Sequence, residues 1–470
     1  MATSARDRTS EHRKGSPDGP VHPLHARLQA VHHDLSGDTG GELRSSIPLL
    51  AEADPDLFGL ALTTADGQVH QVGDSGHRFT VQSVVKPFVY ALALADAGPE
   101  AVMAAVGVEP TGEPFNALVL EAETGRPPNP MVNAGAILTA CLVDGETAAA
   151  RKDRIRSGLS AFAGRDLDDD EQVSESEKGA GARNRALSWL MKDNGTLPYD
   201  VEDALDVYVF ACSLLVDARD LSVMGATLAA GGRNPVTGEQ VVDAELVPTV
   251  LSVMGTCGMY DGAGGWFVKV GLPAKSGVAG GMVAVQPGQL ALGTYSPPLD
   301  EHGNSVRGFK ACTRLSEELG MHEFRPGGRG LPVTVRLDGP DARSSAGRTS
   351  EEEDVLAAHC SRLHLVRLQG PLTLLTADSA CTALLEAAKG WEAPHWLTVD
   401  LSPIGWLHPP AVDLLQEAVD SLVDSDVHVR LVDRVRENRR PWEGATPDDT
   451  LDDLDAALRS AEDELLARLG

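Results

Sequence analysis

Cysteine is scarce in this sequence, with six residues among 470. None of them forms a Cys-x-x-Cys pair or a Cys/His cluster with the spacing of a zinc site. So few thiols in a chain of this length exclude a disulfide scaffold, and they predict reduced cysteines in a cytosolic protein. The six residues are Cys141, Cys212, Cys257, Cys312, Cys360 and Cys381.

Long apolar runs are also missing. No stretch of roughly 18 apolar residues occurs, which predicts that the chain contains no membrane-spanning helix. The first residues, MATSARDRTSEHRKGSPDGP, are polar and charged and lack the apolar segment of a secretory signal. We therefore expect a cytoplasmic protein without a membrane partner.

Basic residues are too few to balance the acidic ones. The 40 Lys and Arg residues stand against 69 Asp and Glu residues, which gives a formal net charge of −29. A field of this sign repels phosphate groups, so it argues against nucleic acid and against anionic lipid as main partners. The apolar fraction of 42% is ordinary for a globular protein and allows sizeable cores.

Composition divides the chain into five segments. Residues 1–22 are rich in Ser, Gly, Pro and charge, which predicts a disordered tail. Residues 23–325 have no long polar break and predict one large domain. Residues 326–354 carry Gly-Pro punctuation and a polar stretch, which is typical of a linker. Residues 355–440 predict a small α/β domain, and residues 441–470 predict an acidic amphipathic helix that needs a surface to pack on.

Predicted strands lie at both ends of the large domain, with helices between them. This order favours an α+β fold over a doubly wound sheet. A turn is predicted over 258–265. The predicted strands are 56–64, 68–72, 266–270, 281–285 and 290–295, and the predicted helices are 83–94, 134–143, 184–191, 203–218 and 222–230.

The small domain has a regular alternation of strand and helix. Such an order predicts a parallel or mixed sheet with helices on its face. The elements in order are 364–369, 377–388, 396–401, 411–422 and 427–432.

The first chemical signal is Ser83-Val84-Val85-Lys86. Residues three apart on a helix share one face, so the lysine can accept the proton of the serine hydroxyl if burial lowers its pKa. Alone, the motif is weak, because a surface serine beside a solvated lysine is the commoner case.

A second motif, Lys275-Ser276-Gly277, raises the odds of a serine nucleophile. Penicillin-recognising serine enzymes pair Ser-x-x-Lys with a later Lys-[Ser/Thr]-Gly. Glycine there lets the backbone approach an acyl group closely, and the N–H groups of Ser83 and Val278 would form an oxyanion hole. A tight hairpin is the alternative interpretation of these residues.

Several blocks, in order over about residues 25–325, resemble the bacterial glutaminase family, which shares the serine β-lactamase-like fold. They are Phe79 to Lys86, Glu109 to Gly112, Phe115-Asn116, Asn129 to Ala136, Ser176-Glu177, Arg183-Asn184, Tyr208, Cys257 to Asp261, Pro273 to Val278, Pro297 to Leu299 and Gly303 to Ser305.

The resemblance implies a role for each matching residue. It makes Ser83 the nucleophile, Lys86 its base and Tyr260 a proton relay, all three catalytic, with Ser83 and Tyr260 also contacting substrate. It implies no metal and no cofactor. Further substrate-binding positions are Asn133, Glu177, Asn184, Tyr208 and Val278, and Lys275, Ser276 and Gly277 are supporting positions.

These residue types suit an amino-acid amide. The α-ammonium group needs an anion such as Glu177, and the α-carboxylate needs neutral donors such as Asn133 and Asn184. Each residue also has a structural explanation, since asparagines cap helices, Glu177 lies in an acidic stretch and Tyr208 suits a core. Taken together and in this order, they favour a binding site. The types do not choose between glutamine and asparagine, which differ by one methylene.

One position departs from the family pattern. Ser46, in Ser45-Ser46-Ile47-Pro48, stands where the family usually has a tyrosine. We expect weaker substrate binding or a changed preference with the chemistry retained. The KM of Ser46→Tyr tests this, and an unchanged KM would count against it.

The reaction predicted from these features is hydrolysis of L-glutamine through a glutamyl ester of the serine. Relatives of this kind commonly self-associate, so a homo-oligomer is expected. Two rivals remain. One is a β-lactamase or penicillin-binding type of serine hydrolase, and the other is a regulatory protein that senses glutamine without turnover.

The small domain resembles a STAS domain, the module of anti-sigma-factor antagonists and of sulfate transporter tails. The resemblance rests on the segments 365–372 and 397–402. Regulatory members carry a phosphorylated serine in the next loop, but this chain has Leu407-His408-Pro409-Pro410-Ala411, which argues against such a switch. A protein partner, a small ligand, another subunit or a passive appendage are all compatible with this domain.

Overall fold

The computed structural model describes residues 22–43, 47–112, 117–324, 333–370, 372, 374–391, 394–404, 409–433, 450–451 and 453–469. Ser46, Phe115, Asn116 and the loop residues Leu407 and His408 lie outside the described residues, as does the predicted tail up to residue 21. The chain separates into two compact units, residues 1–325 and 326–470, and each is described by itself.

The first unit contains an antiparallel sheet with the strand order β2-β1-β7-β6-β5. Strand β1 lies near the start of the unit and β7 near its end, and the two pair directly, so the sheet joins both ends of the unit. A separate two-stranded ladder joins β3 to β4. The strands are β1 (Gly59–Thr64), β2 (Val69–Gly73), β3 (Phe79–Thr80), β4 (Leu215–Val216), β5 (Ala274–Ser276), β6 (Gly281–Gln286) and β7 (Leu290–Tyr295).

Helices cover both faces of this sheet. Short 3₁₀ helices occur at Pro48–Glu52, Gln82–Val85, Ala244–Leu246 and Tyr260–Gly262. The α-helices are α1 (Pro23–Ser36), α2 (Lys86–Ala97), α3 (Pro99–Ala105), α4 (Asn133–Leu142), α5 (Ala148–Ala163), α6 (Glu171–Ala180), α7 (Ala182–Asp193), α8 (Val201–Ser213), α9 (Ala218–Ala229), α10 (Val247–Cys257), α11 (Ala263–Lys269) and α12 (Val306–Leu319).

Alternation along the strands explains why there are two cores. In β6, Met282 and Ala284 face a core formed with α1, α11 and α12, whereas Val283 and Val285 face a larger core formed with helices such as α2, α4, α5 and α8. Helix α9 lies directly on β1, β6 and β7. It comes this close because Gly225 has no side chain, and a Cβ there would lie 2.7 Å from that of Ala291.

Helix α2 is the buried centre of the helical layer. It begins with Lys86-Pro87, and proline suits a first turn because its missing N–H would be unpaired there anyway. It ends at Gly98, which has a φ of 85°. Every residue from Lys86 to Leu94 is buried, so α2 is a core element. The predicted helix 83–94 is confirmed from Lys86 onward, and its first three residues belong to a 3₁₀ helix.

Three element predictions are wrong. The predicted turn 258–265 extends too far, because its last three residues already belong to α11. The predicted strand 266–270 is part of α11, where Ala263, Trp266 and Val270 share a buried helical face and Val268 is 81% exposed. The short apolar run at residues 266–270 is also typical of a strand, but the buried positions Ala263, Trp266 and Val270 follow the helical period. The predicted helix 203–218 ends at Ser213, because the capping box of Asp217 starts α9 after β4.

The second unit is built on a mixed sheet with the order β12-β11-β10-β9-β8. The three predicted strands β9, β10 and β11 are parallel to one another, and the sheet is mixed because β8 is antiparallel to β9. Strand β12, which was not predicted, is parallel to β11. The strands are β8 (Val333–Asp338), β9 (Leu363–Gln369), β10 (His395–Asp400), β11 (Val427–Val432) and β12 (Thr450–Leu451), with 3₁₀ helices at Gly339–Ala342 and Cys360–Arg362 and α-helices α13 (Ser350–His359), α14 (Leu374–Ala388), α15 (Pro409–Asp424) and α16 (Leu454–Leu469).

The two faces of this sheet carry different helices. Leu397 and Val366 point into a core with α14 and α15, whereas Trp396 and Leu365 point into a core with α13 and α16. The C-terminal acidic helix therefore has its packing surface on β10 and β11. The described part of the segment 326–354 consists of β8, a 3₁₀ turn and the start of α13.

Candidate active site

Ser83 lies in the 3₁₀ helix Gln82–Val85, which leads directly into α2. This turn contacts α8 on one side and the strands β5 and β6 on the other. Gln82 has a φ of 48°, a left-handed conformation that is rare outside glycine and is often found at functional sites. Ser83 is 7% exposed, so the turn holds this residue in the buried interface between the helices and the sheet.

Lys86 is the first residue of α2 and is 2% exposed. Its Nζ donates hydrogen bonds to the carbonyl oxygen of Met131 at 3.0 Å and to Oδ1 of Asn133 at 2.7 Å. No carboxylate forms an ion pair with it among the described residues. Burial therefore lowers the pKa of Lys86 to about 7, although Cys212 and Glu177 oppose the shift. A lysine of this kind can accept a proton near neutral pH.

Tyr260 approaches Ser83 from the sheet side. It lies in the 3₁₀ helix Tyr260–Gly262 with a φ of 55°, the second left-handed non-glycine residue of the site. Its Oη accepts a hydrogen bond from Nζ of Lys275 at 2.6 Å. Burial raises the pKa of Tyr260, and a hydrogen bond with the Ser83 side chain acts in the opposite direction.

Lys275 is fully buried on β5, and its Nζ also donates to the carbonyl oxygen of Ser276 at 2.6 Å. Burial lowers the pKa of Lys275 far below its ordinary value, and the charge of Lys86 lowers it further. The cluster therefore holds two buried amines, and the centroid of the Tyr260 ring lies 3.8 Å from Nζ of Lys275 and 5.5 Å from Nζ of Lys86.

Strand β5 runs along the edge of the sheet beside the Ser83 turn. Gly277 follows it, and a Cβ at this position would lie 3.0 Å from the Val84 side chain and 3.1 Å from the carbonyl oxygen of Val81. A side chain would be tight here, so glycine suits the close approach of the strand end to the Ser83 turn. The next residue, Val278, is half-buried. The Ser276 hydroxyl donates to Oδ1 of Asn304 at 2.7 Å and fixes the strand end.

A polar wall of asparagines and a tyrosine stands behind Lys86. Asn133 begins α4, and its Nδ2 donates to Oδ1 of Asn184 on α7 at 2.9 Å. Tyr208 on α8 donates to Oδ1 of Asn133 at 3.4 Å. Asp200 caps α8 through two backbone N–H groups and so sets the start of the helix that carries Tyr208. Amide and hydroxyl groups here are linked to the lysine in one network.

Glu177 on α6 supplies the negative charge. It is 8% exposed, and its Oε2 accepts a hydrogen bond from Nε2 of Gln82 at 3.3 Å. Its other oxygen, Oε1, accepts no hydrogen bond from any residue that the structure describes. Burial raises the pKa of Glu177 to about 7, against the effects of Gln82 and Lys86. The acidic stretch around it was compatible with a solvated glutamate, but the structure buries this one.

The structure thus brings the predicted site residues into one region of the first unit. A direct hydrogen bond between the Ser83 hydroxyl and Lys86 Nζ is not among those that the described residues form. The Lys86 amine donates to Met131 and Asn133, and the Ser83 side chain interacts with Tyr260. Hydrogen bonds of catalytic groups are often formed only in the complex with substrate, so the lysine keeps its role as a candidate base.

Three buried residues of the region were given no role from the sequence. Gln82 bonds Glu177, Asn304 bonds Ser276, and Cys212 lies one helical turn after Tyr208, where its thiol hydrogen bonds with that tyrosine. Only the spacing of Cys212 from Tyr208 on α8 signals such a contact in advance. The other two depend on long-range pairing that a local pattern does not contain.

Two cavities border the region. One, of about 330 Å³, lies between α6, α7 and α8 and is lined by Glu177 and Asn184. The other, of about 960 Å³, is mostly apolar and has Tyr260 and Asp261 in its wall. In the described part of the chain, no group of three or more His, Cys, Asp or Glu residues is placed to hold a metal ion. No helix there is long and apolar enough to cross a bilayer.

A buried Ser-x-x-Lys at the head of a helix, beside a Lys-Ser-Gly strand edge, is the arrangement of the serine hydrolases with a β-lactamase-like fold. A sequence model of the glutaminase family matches residues 41–324. A glutaminase of Clavibacter michiganensis is 54% identical over 316 residues, which are 67% of this chain and 96% of the relative. Glutaminase 2 of Bradyrhizobium diazoefficiens is 44% identical over 468 residues, 97% of this chain and 73% of the relative.

The likeness extends to a solved structure. Mglu in its glutamate form superposes with a TM-score of 0.77 at 36% identity, covering 89% of this chain and 100% of that one. The chain belongs to the glutaminase family. Its mixed α and β architecture matches the solved glutaminase, and the β-lactamase-like arrangement expected for the first unit fits this family.

Proposed function

We propose that this protein hydrolyses L-glutamine to L-glutamate and ammonia through a covalent glutamyl ester on Ser83. The observation that carries the proposal is the cluster of the buried Ser83 and Lys86 with the half-buried Tyr260, in which the lysine has a pKa of about 7 and no ion-pair partner among the described residues. Family membership supplies the substrate, because the glutaminase family model spans residues 41–324 and a relative named glutaminase is 54% identical over 316 residues.

In the first step, the Ser83 oxygen attacks the δ-carbonyl carbon while its proton passes to Lys86, directly or through Tyr260. The backbone N–H groups of Ser83 and Val278 stabilise the negative oxygen of the tetrahedral intermediate. The C–N bond then breaks, and the departing nitrogen takes a proton from Tyr260, so that ammonia leaves and a glutamyl ester remains.

In the second step, water attacks the ester carbonyl and gives its proton to the same basic groups. The bond between Ser83 and the acyl carbon breaks, and the serine oxygen is protonated again. Lys275 supports both steps by donating a hydrogen bond to Tyr260 at 2.6 Å, which favours the phenolate form of the tyrosine when it gives up its proton.

The charged end of glutamine sets the roles of the polar wall. Glu177 binds the α-ammonium group, and its burial makes this attraction strong because few waters screen it. Asn133, Asn184 and Tyr208 are neutral donors, and we assign them to the α-carboxylate. Ser276 and Gly277 hold the strand edge that carries Val278.

The second unit is proposed to be a STAS-like domain, with its core at residues 355–440. Support comes from the strand and helix alternation, with α14 and α15 together on one face of the parallel strands β9, β10 and β11. Strand β8 and helix α16 extend that sheet and its opposite face, so we place the boundary between the two units near residue 325. A homo-oligomer, and a protein or ligand partner for this domain, are further proposals.

Ammonia release from L-glutamine tests the proposed activity. We expect the full-length protein to release ammonia and Ser83→Ala to release none, with the fold unchanged by circular dichroism. Ser157→Ala, which removes an exposed hydroxyl on α5, is the matched control and should keep full activity. Turnover by Ser83→Ala would refute the nucleophile, and hydrolysis of a chromogenic β-lactam but not of glutamine would favour the rival serine hydrolase.

A further inference from the structure

The cavity of about 330 Å³ between α6, α7 and α8 is not lined by Ser83, Lys86 or Tyr260, the groups that carry the proposed reaction. Two residues of its wall, Glu177 and Asn184, are those assigned to the α-ammonium and α-carboxylate groups. Both residues are linked to the reacting groups by hydrogen bonds. Glu177 accepts one from Gln82, the residue before Ser83. Asn184 accepts one from Asn133, which in turn accepts one from Lys86. The cavity therefore begins at the α-end of a bound glutamine.

The charges around this cavity are unequal. Glu202 receives two hydrogen bonds from Arg185, at 2.8 and 3.0 Å, and Asp206 is paired with Lys178 at 2.8 Å. The other two carboxylates of the wall, Glu177 and Asp203, form no ion pair with any described residue. Glu177 is nine-tenths buried, with Oε1 unbonded by the described residues, and would be occupied by the substrate ammonium. Asp203 is exposed and remains to attract a second cation.

The volume suits more than an ion. At about 30 Å³ for each water-sized group, the cavity has room for roughly ten non-hydrogen atoms, which is the size of one amino-acid residue. An extension must leave the α-ammonium free for Glu177, so it can only be attached at the α-carboxylate. Asn184 can then hydrogen bond the carbonyl oxygen of the new amide in place of a carboxylate oxygen.

We propose that this cavity admits a cationic extension on the α-carboxylate of glutamine, so that the enzyme also removes the side-chain amide of an amino-terminal glutamine followed by a basic residue. The proposal rests on the proposed function and uses the same Ser83 chemistry. The acyl carbon, the ester and the released ammonia are unchanged, and only the group beyond the α-carbon differs. Asp203 is assigned as the specificity residue for this extension.

The test compares L-glutaminyl-L-lysinamide with L-glutaminyl-L-norleucinamide, which has a similar shape but no side-chain ammonium. Ammonia release is measured against Ser83→Ala, and mass spectrometry separates the glutamyl product from the pyroglutamyl product of spontaneous cyclisation. We expect hydrolysis of both, with kcat/KM about fivefold higher for the lysine peptide, as one partly exposed charge pair would give.

Asp203→Asn should remove that difference and leave glutamine hydrolysis unchanged, whereas Asp193→Asn, an exposed acid at the end of α7, should preserve it. Turnover of glutamine with no turnover of either peptide overturns the extended site and leaves the proposed function standing. Equal rates for the two peptides in the unmodified enzyme overturn the role of Asp203. Failure to hydrolyse glutamine itself overturns both proposals.

Discussion

Each unit of this protein buries a glutamate, and the two are treated in opposite ways. Glu462 on α16 is fully buried and receives hydrogen bonds from Arg348 at 2.8 Å and from the backbone N–H and hydroxyl of Ser344 at 2.8 and 2.7 Å, with Arg343 at 3.4 Å. Glu177 is almost as deeply buried, and among the described residues its one side-chain donor is the amide of Gln82.

The difference separates a structural charge from a functional one. A buried carboxylate with two arginines is compensated before any ligand arrives, and it joins α16 to the chain before α13. A buried carboxylate without a cation costs stability but attracts an ammonium group strongly when one binds. Lys86 is also a functional charge in this sense. Its burial lowers its pKa, and the neutral amine that results can act as a base.

The largest effect is expected for Lys86→Met, which keeps the length of the side chain and removes the amine. We expect kcat on L-glutamine to fall by about 10⁴-fold, the upper range for a general base. The thermal midpoint should change little, because relief from burying an amine offsets the loss of its hydrogen bonds to Met131 and Asn133. Steady-state assays and calorimetry measure both, with exposed Lys269→Met as control. Loss of less than tenfold in kcat would contradict the assignment.

For the structural charge we expect the reverse pattern. Glu462→Gln leaves Arg343 and Arg348 without their shared carboxylate and should lower the opening free energy of α16 by about 3 kcal/mol. Hydrogen exchange resolved by peptide reports α16 apart from the first unit. Asp463→Asn is the matched control, since its side chain is 56% exposed and its ion pair should contribute well under about 1 kcal/mol. Equal effects of the two substitutions would remove the contrast.

Glu177→Gln should reduce kcat/KM for glutamine by about 100-fold, mostly through KM, because a charge-assisted contact to the α-ammonium is lost. Stability should stay the same or rise, since the amide is less costly to bury. Glu175→Gln, on the same helix and 75% exposed, should change kcat/KM by less than about twofold. A loss of stability with unchanged KM would make Glu177 a structural residue like Glu462.

The pH profile gives the smallest of these effects. Lys86 must be neutral to accept a proton, and Glu177 must be ionised to bind the ammonium, and the pKa of each is about 7. Both required forms therefore decline as pH falls below 7. We expect kcat/KM to drop between about fivefold and about sixfold for each group between pH 7 and pH 6, so about thirtyfold in all. Glu177→Gln should retain only the fivefold part, and a flat profile from pH 6 to pH 8 would contradict both assignments.

Sequence patterns were sufficient for some features of the fold and site and not for others. The Ser83 and Lys275 motifs were found because each is a short run whose residue types have a direct chemical meaning. The helix α11 was mistaken for a strand, since residues 266–270 form a short and mostly apolar run, whereas the packing of Trp266 against Phe309 belongs to its helical face. The bond from Gln82 to Glu177 joins residues 95 positions apart and has no local signal.

The burial of charge was the hardest property to predict. Glu177 lies in a stretch that is otherwise polar and acidic, and its environment depends on how α6 packs on α8. The sequence therefore indicated which residues have suitable functional groups, whereas the structure determines which of those groups are buried away from solvent. The pKa values that matter for the reaction follow from that second property.

The pairing of β1 with β7 has a consequence for how the protein is made. These strands are separated by more than two hundred residues, so the sheet cannot close until nearly all of the first unit has left the ribosome. Ser83 is synthesised early, while the strand edge that completes its surroundings arrives late. A nascent chain stopped before β5 would be an exposed, aggregation-prone intermediate without activity, so any chaperone requirement should centre on this late closure.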